Sequence, residues 1–437
     1  MLHHRLLPAA ALVLAGTAAA TALSPLGELV LKEKDHKDLG EEIAAFVEAK
    51  KEGKGMDDAR QGFLDQKEKI EKKLRGVELL SLVHDLEEAF YYSNEYTDRG
   101  VKKGKLQNYE EPGIAGATLE YAIWTPKKYS TKKGGPYPLI LLIPEEGESG
   151  KEHEKPQTHI EEWWVDTDLR NGAILVACGM PKSVEHWGSL NGVDDEGNDK
   201  QYGGGAAVVL QVLKNVTDTM AVDVDRIFIA GYGTAGATAA LQIANLYPDR
   251  FAGVIGRAGD VKDVTPDNFR NVATLFAGGG AGCTAFKEAA DALGHERCTL
   301  AADALEKDIW AWVQATERNA HPTQVSLVPA SPNQRKAYWI QLERFDPAGG
   351  AKLDAVIDRE NNRIEITAEK VESLFLYFND LLVDMDRPIN VVCNGVEDEA
   401  VHPRNWSTML DLYFSSNDSG RIYTNYKRYE IEDKASE

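Results

Sequence analysis

The sequence predicts an α/β fold over residues 105–330, a three-layer sandwich in which a mostly parallel β-sheet lies between two layers of helices. Short apolar, β-branched runs of strand length alternate along this segment with runs of helix length. The strand-like runs are apolar at successive positions, which is typical of parallel strands buried on both faces. A helical N-terminal region, residues 23–104, precedes this segment, and a β-rich C-terminal module, residues 331–437, follows it.

The first 22 residues have the pattern of a signal peptide. His3, His4 and Arg5 precede an apolar run over residues 6–14, and small residues near 18–21 offer cleavage sites. Because this run is too short to cross a bilayer, we expect an exported protein that does not span the membrane after signal cleavage. The net charge of −21 at pH 7 argues against nucleic acid as a partner.

The segment before the core is charged and has helical periodicity. Helices are predicted at 38–51, 56–74 and 77–92, separated by glycines. Their apolar faces cover another part of the protein or bind a partner. Residues 102–113 are interpreted as a polar linker, and residues 117–124 as an antiparallel edge strand.

The core elements follow in alternation. Strands are predicted at 137–143, 173–178, 226–230, 253–257, 273–277 and 324–328. Helices are predicted at 158–170, 204–220, 235–246, 284–293 and 301–316.

One stretch of this core predicts a functional site. The apolar strand 226–230 meets a turn of small residues, 231–236, and then a buried helix. Strand, sharp turn and helix in this order form the nucleophile elbow of an α/β-hydrolase. The elbow tolerates only small residues two positions before and two positions after its nucleophile.

The spacing decides which residue lies at the apex of the turn. With Gly233 at the apex, the flanking positions hold Gly231 and Ala235, which are both small. With Thr234 at the apex, Tyr232 would clash at the end of the strand, and a β-branched residue suits the strained backbone poorly. Thr234 is therefore only the second candidate, and Gly233 has no side chain that can attack a substrate.

The sequence of this stretch resembles that of secreted esterases of the polyhydroxybutyrate-depolymerase and feruloyl-esterase type. The resemblance rests on DR at 225–226, AGY at 230–232 and YPDRFAGV at 247–254. It implies an α/β-hydrolase fold with a serine nucleophile, at the position where this chain has Gly233. The segment 377–395 resembles a β-rich tail that is fused to such domains in exported bacterial proteins.

The other catalytic positions that the resemblance implies are also altered. Pro144 and Glu145 stand where these esterases have the His-Gly of the oxyanion loop, and proline has no N–H to donate. The turn after strand 273–277 is the glycine-rich run 278–282, without the expected carboxylate, and the loop 301–307 has no histidine. Since a triad works as a unit, the sequence predicts a lost catalytic triad.

Further candidates line the predicted cleft or lie near it. Glu145, Tyr232, Gly233, Thr234, His186 and Trp187 are the predicted cleft residues, although tryptophans of this kind are equally often core residues. No cofactor or metal is predicted, because the acidic loop at 194–199 lacks the spacing of a calcium-binding loop.

Four cysteines are present, and Cys283 and Cys298 are the candidates for a disulfide. Two buried thiols are the alternative, because sequence spacing does not set the distance between Cα atoms.

The C-terminal module is predicted to be a small β-sandwich. Strands are expected at 337–343, 353–358, 363–367, 373–378, 389–393 and 422–431, with a helix at 403–413.

The sequence thus predicts an exported, non-catalytic α/β-hydrolase-like protein with a binding, structural or interaction role at the cell envelope, whose ligand or partner is unknown. The alternative is an active esterase or depolymerase that uses Thr234 as its nucleophile.

Overall fold

The computed structural model describes residues 29–113, 118–131, 136–145, 156–181, 184, 186–193 and 199–431. The predicted signal peptide and most of the acidic loop at 194–199 lie outside the described residues. Within the described part of the chain, no helix is long and apolar enough to cross a membrane.

The N-terminal region is a helical layer. Its helices are α1 (Glu33–Glu52), α2 (Met56–Lys73) and α3 (Val83–Tyr92), with a 3₁₀ turn at Leu79–Ser81. Leu39, Ile43 and Phe46 recur at helical spacing on α1 and are fully buried. They share a core with Met409 and Leu410 of the C-terminal module, so this apolar face covers another part of the same protein.

The central sheet has eight strands in the order β1-β2-β4-β3-β7-β8-β9-β10. Its strands are β1 (Leu106–Pro112), β2 (Thr118–Trp124), β3 (Tyr137–Ile143), β4 (Ile174–Cys178), β7 (Val222–Tyr232), β8 (Gly253–Arg257), β9 (Ala273–Ala277) and β10 (Cys298–Leu300). The two-residue strands β5 (Gly192–Val193) and β6 (Asp199–Lys200) pair only with each other.

Only β2 runs antiparallel to the rest of the sheet. The predicted polar linker at 102–113 is wrong in part, because Leu106–Pro112 pairs with β2 along its whole length. Strand β2 is antiparallel as predicted, but it is the second strand of the sheet, since β1 takes the edge.

Helices cover both faces of this sheet. They are α4 (Pro156–Thr158), continued by a π-helical turn at His159–Trp163, and α5 (Thr167–Gly172), α6 (Gly205–Thr219), α7 (Gly233–Leu246), α8 (Ala281–Ala292) and α9 (Glu306–Ala315). All seven residues of β3 are buried, with Leu139 and Leu141 in one core and Ile140 and Leu142 in another. The strand order and the two cores confirm the predicted three-layer α/β-hydrolase fold.

The C-terminal module is a sandwich of two sheets. One has the order β11-β14-β15-β17-β18 and the other β12-β13-β16-β19. The strands are β11 (Gln324–Leu327), β12 (Lys336–Ala337), β13 (Ile340–Phe345), β14 (Lys352–Asp358), β15 (Arg363–Glu369), β16 (Val371–Phe378), β17 (Ile389–Cys393), β18 (Val396–Ala400) and β19 (Asn425–Glu430), with helix α10 at Trp406–Ser416. Leu353 and Ile364 of the first sheet share a core with Leu342 and Leu374 of the second.

The placement of β11 corrects one prediction. The sequence pattern assigned residues 324–328 to the central sheet, whereas Gln324–Leu327 pairs antiparallel with β14 of the sandwich. Burial alternates along β11, as in a strand with one covered face, instead of being continuous as in β3.

Candidate functional site

The predicted elbow is present where β7 meets α7. Gly233 is buried and has φ 70°, a left-handed backbone conformation that glycine adopts without strain. A Cβ atom on Gly231 would lie 2.0 Å from the carbonyl oxygen of Gly236. The turn therefore has the tight geometry of a nucleophile elbow, with a glycine at its apex.

The space in front of Gly233 is taken by Glu145, which follows β3. A Cβ atom built on Gly233 would lie 2.3 Å from Cδ of Glu145 and 2.5 and 2.6 Å from its two carboxylate oxygens. Any side chain at the apex would have to displace this carboxylate. An acidic group thus occupies the position where a hydrolase of this fold presents its nucleophile.

Thr234, the second candidate nucleophile, holds a neighbouring loop in place. Its Oγ1 accepts a hydrogen bond from the backbone N–H of Asp260 at 3.1 Å. Thr238 Oγ1 donates to the carbonyl oxygen of Thr234 at 2.7 Å and accepts from the N–H of Lys262 at 3.2 Å. A Cβ atom on Gly259 would lie 2.4 Å from the backbone nitrogen of Thr234. The loop after β8 therefore packs directly on the elbow.

Asp260 lies beside the elbow, at a position that the sequence pattern does not predict for a site residue. Its carboxylate accepts hydrogen bonds from the backbone N–H groups of Cys283 at 2.9 Å, Gly282 at 3.2 Å and Val261 at 2.9 Å. Burial by itself would raise the pKa of Asp260, but these three donors outweigh it and lower that pKa. The sequence does contain a signal for this role of Asp260. An acidic residue follows β8 and a glycine run precedes α8, and glycines leave room for a carboxylate beside the first turn of a helix.

A second group of side chains lies on the other side of the elbow. Tyr232 stacks on Trp163 with ring centroids 4.4 Å apart and an angle of 6° between the rings. Arg257, at the end of β8, forms a 3.0 Å ion pair with Glu306 at the start of α9 and lies 4.9 Å from the ring of Trp164. An arginine–carboxylate pair thus lies at the start of the helix that follows the expected histidine loop.

The two histidines closest in sequence to the expected position lie elsewhere. His295 is buried near Arg270 and Asp267, which precede β9, and burial lowers its pKa. His321 lies 3.8 Å from Glu87 of the N-terminal helices and contacts the ring of Tyr423.

The predicted cleft residues are only partly brought together. Glu145, His186 and Thr234 line one open cleft of about 630 Å³. Its other lining residues are Gly188, Ser189, Ala235, Thr238, Ala239, Gln242 and Lys262. Trp187 is fully buried in the core instead, and Tyr232 faces Trp163.

Cys283 and Cys298 are both buried free thiols in the structure, so the predicted disulfide is not formed there. Burial raises the pKa of Cys283 to about 12, with a further contribution from Asp260, and it raises the pKa of Cys298 to about 11. Among the described residues, no cluster of three or more His, Cys, Asp or Glu side chains is arranged to hold a metal ion.

No family model matches the sequence, and no curated protein matches it. Solved structures with a similar fold include a thermostable esterase, at 16% identity over 49% of this chain, with a TM-score of 0.39. This chain spans 63% of that esterase, which is less than two thirds of its length.

Two further similar structures are matched over most of their own length. An S-formylglutathione hydrolase from Agrobacterium tumefaciens is 14% identical over 49% of this chain and 97% of its own, with a TM-score of 0.37. A ferulic acid esterase from Anaeromyces mucronatus is 12% identical over 50% of this chain and 93% of its own, with a TM-score of 0.33. These likenesses concern the fold alone.

Proposed function

We propose that this protein is an exported α/β-hydrolase-like protein without hydrolase activity, which has a binding, structural or interaction role at the cell envelope. The observation that carries the proposal is the pairing of Gly233 with Glu145. The apex of the elbow keeps its left-handed backbone but has no side chain, and a carboxylate fills the space in front of it.

The surroundings of the elbow support the loss of catalysis. A serine or threonine attacks an ester only when a neighbouring base takes its proton. The residues that follow β9 and β10 offer glycine and no histidine, and the nearby acid Asp260 is used by the start of α8. A negative charge at Glu145 would also repel the oxyanion that forms during ester cleavage.

An esterase that uses Thr234 is the alternative. Thr234 and His186 line the same cleft, which is the observation in its favour. Against it, Thr234 lies in the first turn of α7 and not at the apex, and its hydroxyl oxygen already accepts the N–H of Asp260.

The proposal is tested with the purified protein, p-nitrophenyl butyrate and a fluorophosphonate label. We expect no turnover above that of heat-denatured protein and no covalent labelling. The variant Thr234→Ala is the control for the alternative: turnover that is present in the native protein and absent from this variant would establish the esterase and overturn the proposal.

A second variant tests whether the elbow lacks only its nucleophile. We expect Gly233→Ser, alone or together with Glu145→Gly, to remain inactive, because a serine without a base stays protonated. A burst of nitrophenol from either variant would show that a base is present in the cleft, and would contradict the loss of the triad.

A further inference from the structure

A larger cavity lies away from the elbow, where the three regions of the protein meet. Its volume is about 980 Å³, within the range of about 300–1,000 Å³ that is typical of small-molecule sites. It is bordered by α1, α6, the start of β7, the chain after α7 and the end of α10. Val224 and Ile227 of its wall precede Gly233 by nine and six residues along β7, which is about 30 and about 20 Å at 3.3 Å per residue.

The walls of this junction cavity combine apolar side chains with charged side chains of both signs. The apolar ones include Val47, Leu210, Leu213, Val224, Tyr247 and Phe414. Leu210, Val224 and Tyr247 pack on the main core but remain partly exposed. Covering a partly exposed apolar surface inside a concave site lowers the free energy, so these side chains suit a hydrocarbon chain.

Arg250 is the partly exposed arginine of the cavity, and two polar contacts of its guanidinium are seen among the described residues. Arg250 donates through Nη2 to the carbonyl oxygen of Ser416 at 2.7 Å, and its Nη1 lies 3.5 Å from a carboxylate oxygen of Asp418. A guanidinium has five N–H donors, so these contacts use only part of its capacity. Its side chain is 30% exposed, whereas Arg318 beside it is 1% exposed.

Asp418 cannot complete the pairing of Arg250, because it already serves other donors. Its carboxylate accepts from Arg318 at 2.7 and 2.9 Å, from Nε of Arg421 at 2.8 Å and from the N–H of Gly420 at 3.2 Å. Arg318 is also bound by Asp225. Burial and the nearby charge of Arg421 lower the pKa of Arg250, and Asp418 and Asp249 oppose this shift.

We propose that the junction cavity binds a small amphipathic carboxylate, with its carboxylate on the guanidinium of Arg250 and its hydrocarbon chain along the apolar wall. Arginine binds carboxylates through two parallel hydrogen bonds, and the guanidinium of Arg250 is partly exposed in the cavity. A single negative charge suits the site better than a dianion, because the cations of the lining are matched in number by acids. The acids are Glu48, Glu95, Asp218 and Asp418, and the cations are Lys51, Lys214, Arg250 and Arg318. This site is separate from the elbow, so it stands or falls independently of the proposed loss of hydrolase activity.

The test is calorimetric titration of the full mature chain with sodium decanoate, below its micelle concentration. Neutral 1-decanol and cationic decyltrimethylammonium, of the same chain length, are titrated in parallel. We expect decanoate to bind more tightly than both. Absence of decanoate binding, equal binding of decanol, or tighter binding of the cation would each overturn the proposal.

Two variants locate the ligand in the cavity. Arg250→Gln removes the charge and should weaken decanoate binding about tenfold or more while leaving decanol unchanged, because a charge-assisted pair is lost. Leu210→Trp fills the apolar wall and should weaken binding of decanoate with Arg250 still in place. The matched control is Arg363→Gln, which removes a similarly exposed arginine from a surface ion pair with Glu397.

Circular dichroism melting shows whether each variant is folded. If Arg250→Gln does not fold, Leu210→Trp carries the test by itself. Unchanged decanoate affinity in a folded Arg250→Gln or Leu210→Trp protein would place the ligand elsewhere and refute the proposed site.

Discussion

The substitution Gly233→Ala tests directly whether Glu145 occupies the apex of the elbow. Two terms oppose the alanine. Its backbone must adopt φ near 70°, which costs an L-residue about 1–2 kcal/mol. Its Cβ must also displace a carboxylate whose atoms lie 2.3–2.6 Å away. Because Glu145 is exposed and can rotate, we expect this second term to add only about 0.5–1 kcal/mol.

The chain supplies a matched control for the backbone term. Gly53, which ends α1, has φ 69°, and a Cβ atom there would meet nothing within 4 Å. Gly53→Ala therefore measures the cost of the left-handed conformation without any contact. We expect Gly233→Ala to lower the free energy of unfolding more than Gly53→Ala does.

A double-mutant cycle isolates the contribution of Glu145. Glu145→Ala alone should change the free energy of unfolding by less than about 0.5 kcal/mol, as is usual for an exposed side chain. In the Glu145→Ala background, the cost of Gly233→Ala should fall toward that of Gly53→Ala. The measurement is urea unfolding followed by circular dichroism, with the coupling energy taken from the four proteins.

A cycle without coupling would contradict this prediction. Equal costs of Gly233→Ala with and without Glu145 would mean that the carboxylate does not fill the apex. The same result would remove the main support for the proposed loss of hydrolase activity.

Three further predictions follow from buried charges and thiols. Asp418→Asn should destabilise the protein by about 3–5 kcal/mol near pH 7, because it leaves buried guanidinium groups uncompensated. Burial alone would raise the pKa of Asp418, but Arg318 and Arg421 hold that pKa well below its usual range. The stability that the ionised Asp418 contributes to the native protein should therefore be lost only as the pH falls below about 4. Burial lowers the pKa of Lys336 to about 8. Because a buried charged lysine then destabilises the folded state, Lys336→Met should stabilise the protein by roughly 2–3 kcal/mol below pH 8. This gain should vanish by about pH 10.5, and thermal melts across this pH range would measure it. Iodoacetamide should alkylate both Cys283 and Cys298 in urea without reductant, and it should alkylate neither in the native protein, where both thiols are buried. Mass spectrometry would detect the modified peptides. A disulfide-linked peptide would contradict the free thiols.

Local patterns predicted much of the fold. Strand β3 and strand β9 have the predicted bounds, because each is a continuous apolar run between turn residues. The elbow was also predictable, since its glycines must stand at fixed positions around the turn. The absence of a serine at Gly233 is visible in the sequence alone.

Pairing partners were less predictable. The polar composition of Leu106–Pro112 predicts a linker, but the same composition is typical of a half-exposed edge strand, which the structure shows. The pattern of Gln324–Leu327 predicts a strand, which is confirmed, but it does not reveal that this strand belongs to the sandwich. A strand pattern is local, whereas the choice of neighbour depends on where the chain turns after helix α9.

The sequence by itself determined the class of fold, the position of the elbow and the glycine at its apex, because each depends on the types and spacing of neighbouring residues. Only the tertiary structure showed that the carboxylate of Glu145 fills the apex at Gly233, that Asp260 serves the start of α8, and that Arg250 faces an apolar cavity. These arrangements join residues that are far apart in the chain. Their contacts depend on packing in three dimensions, which no local pattern of residues records.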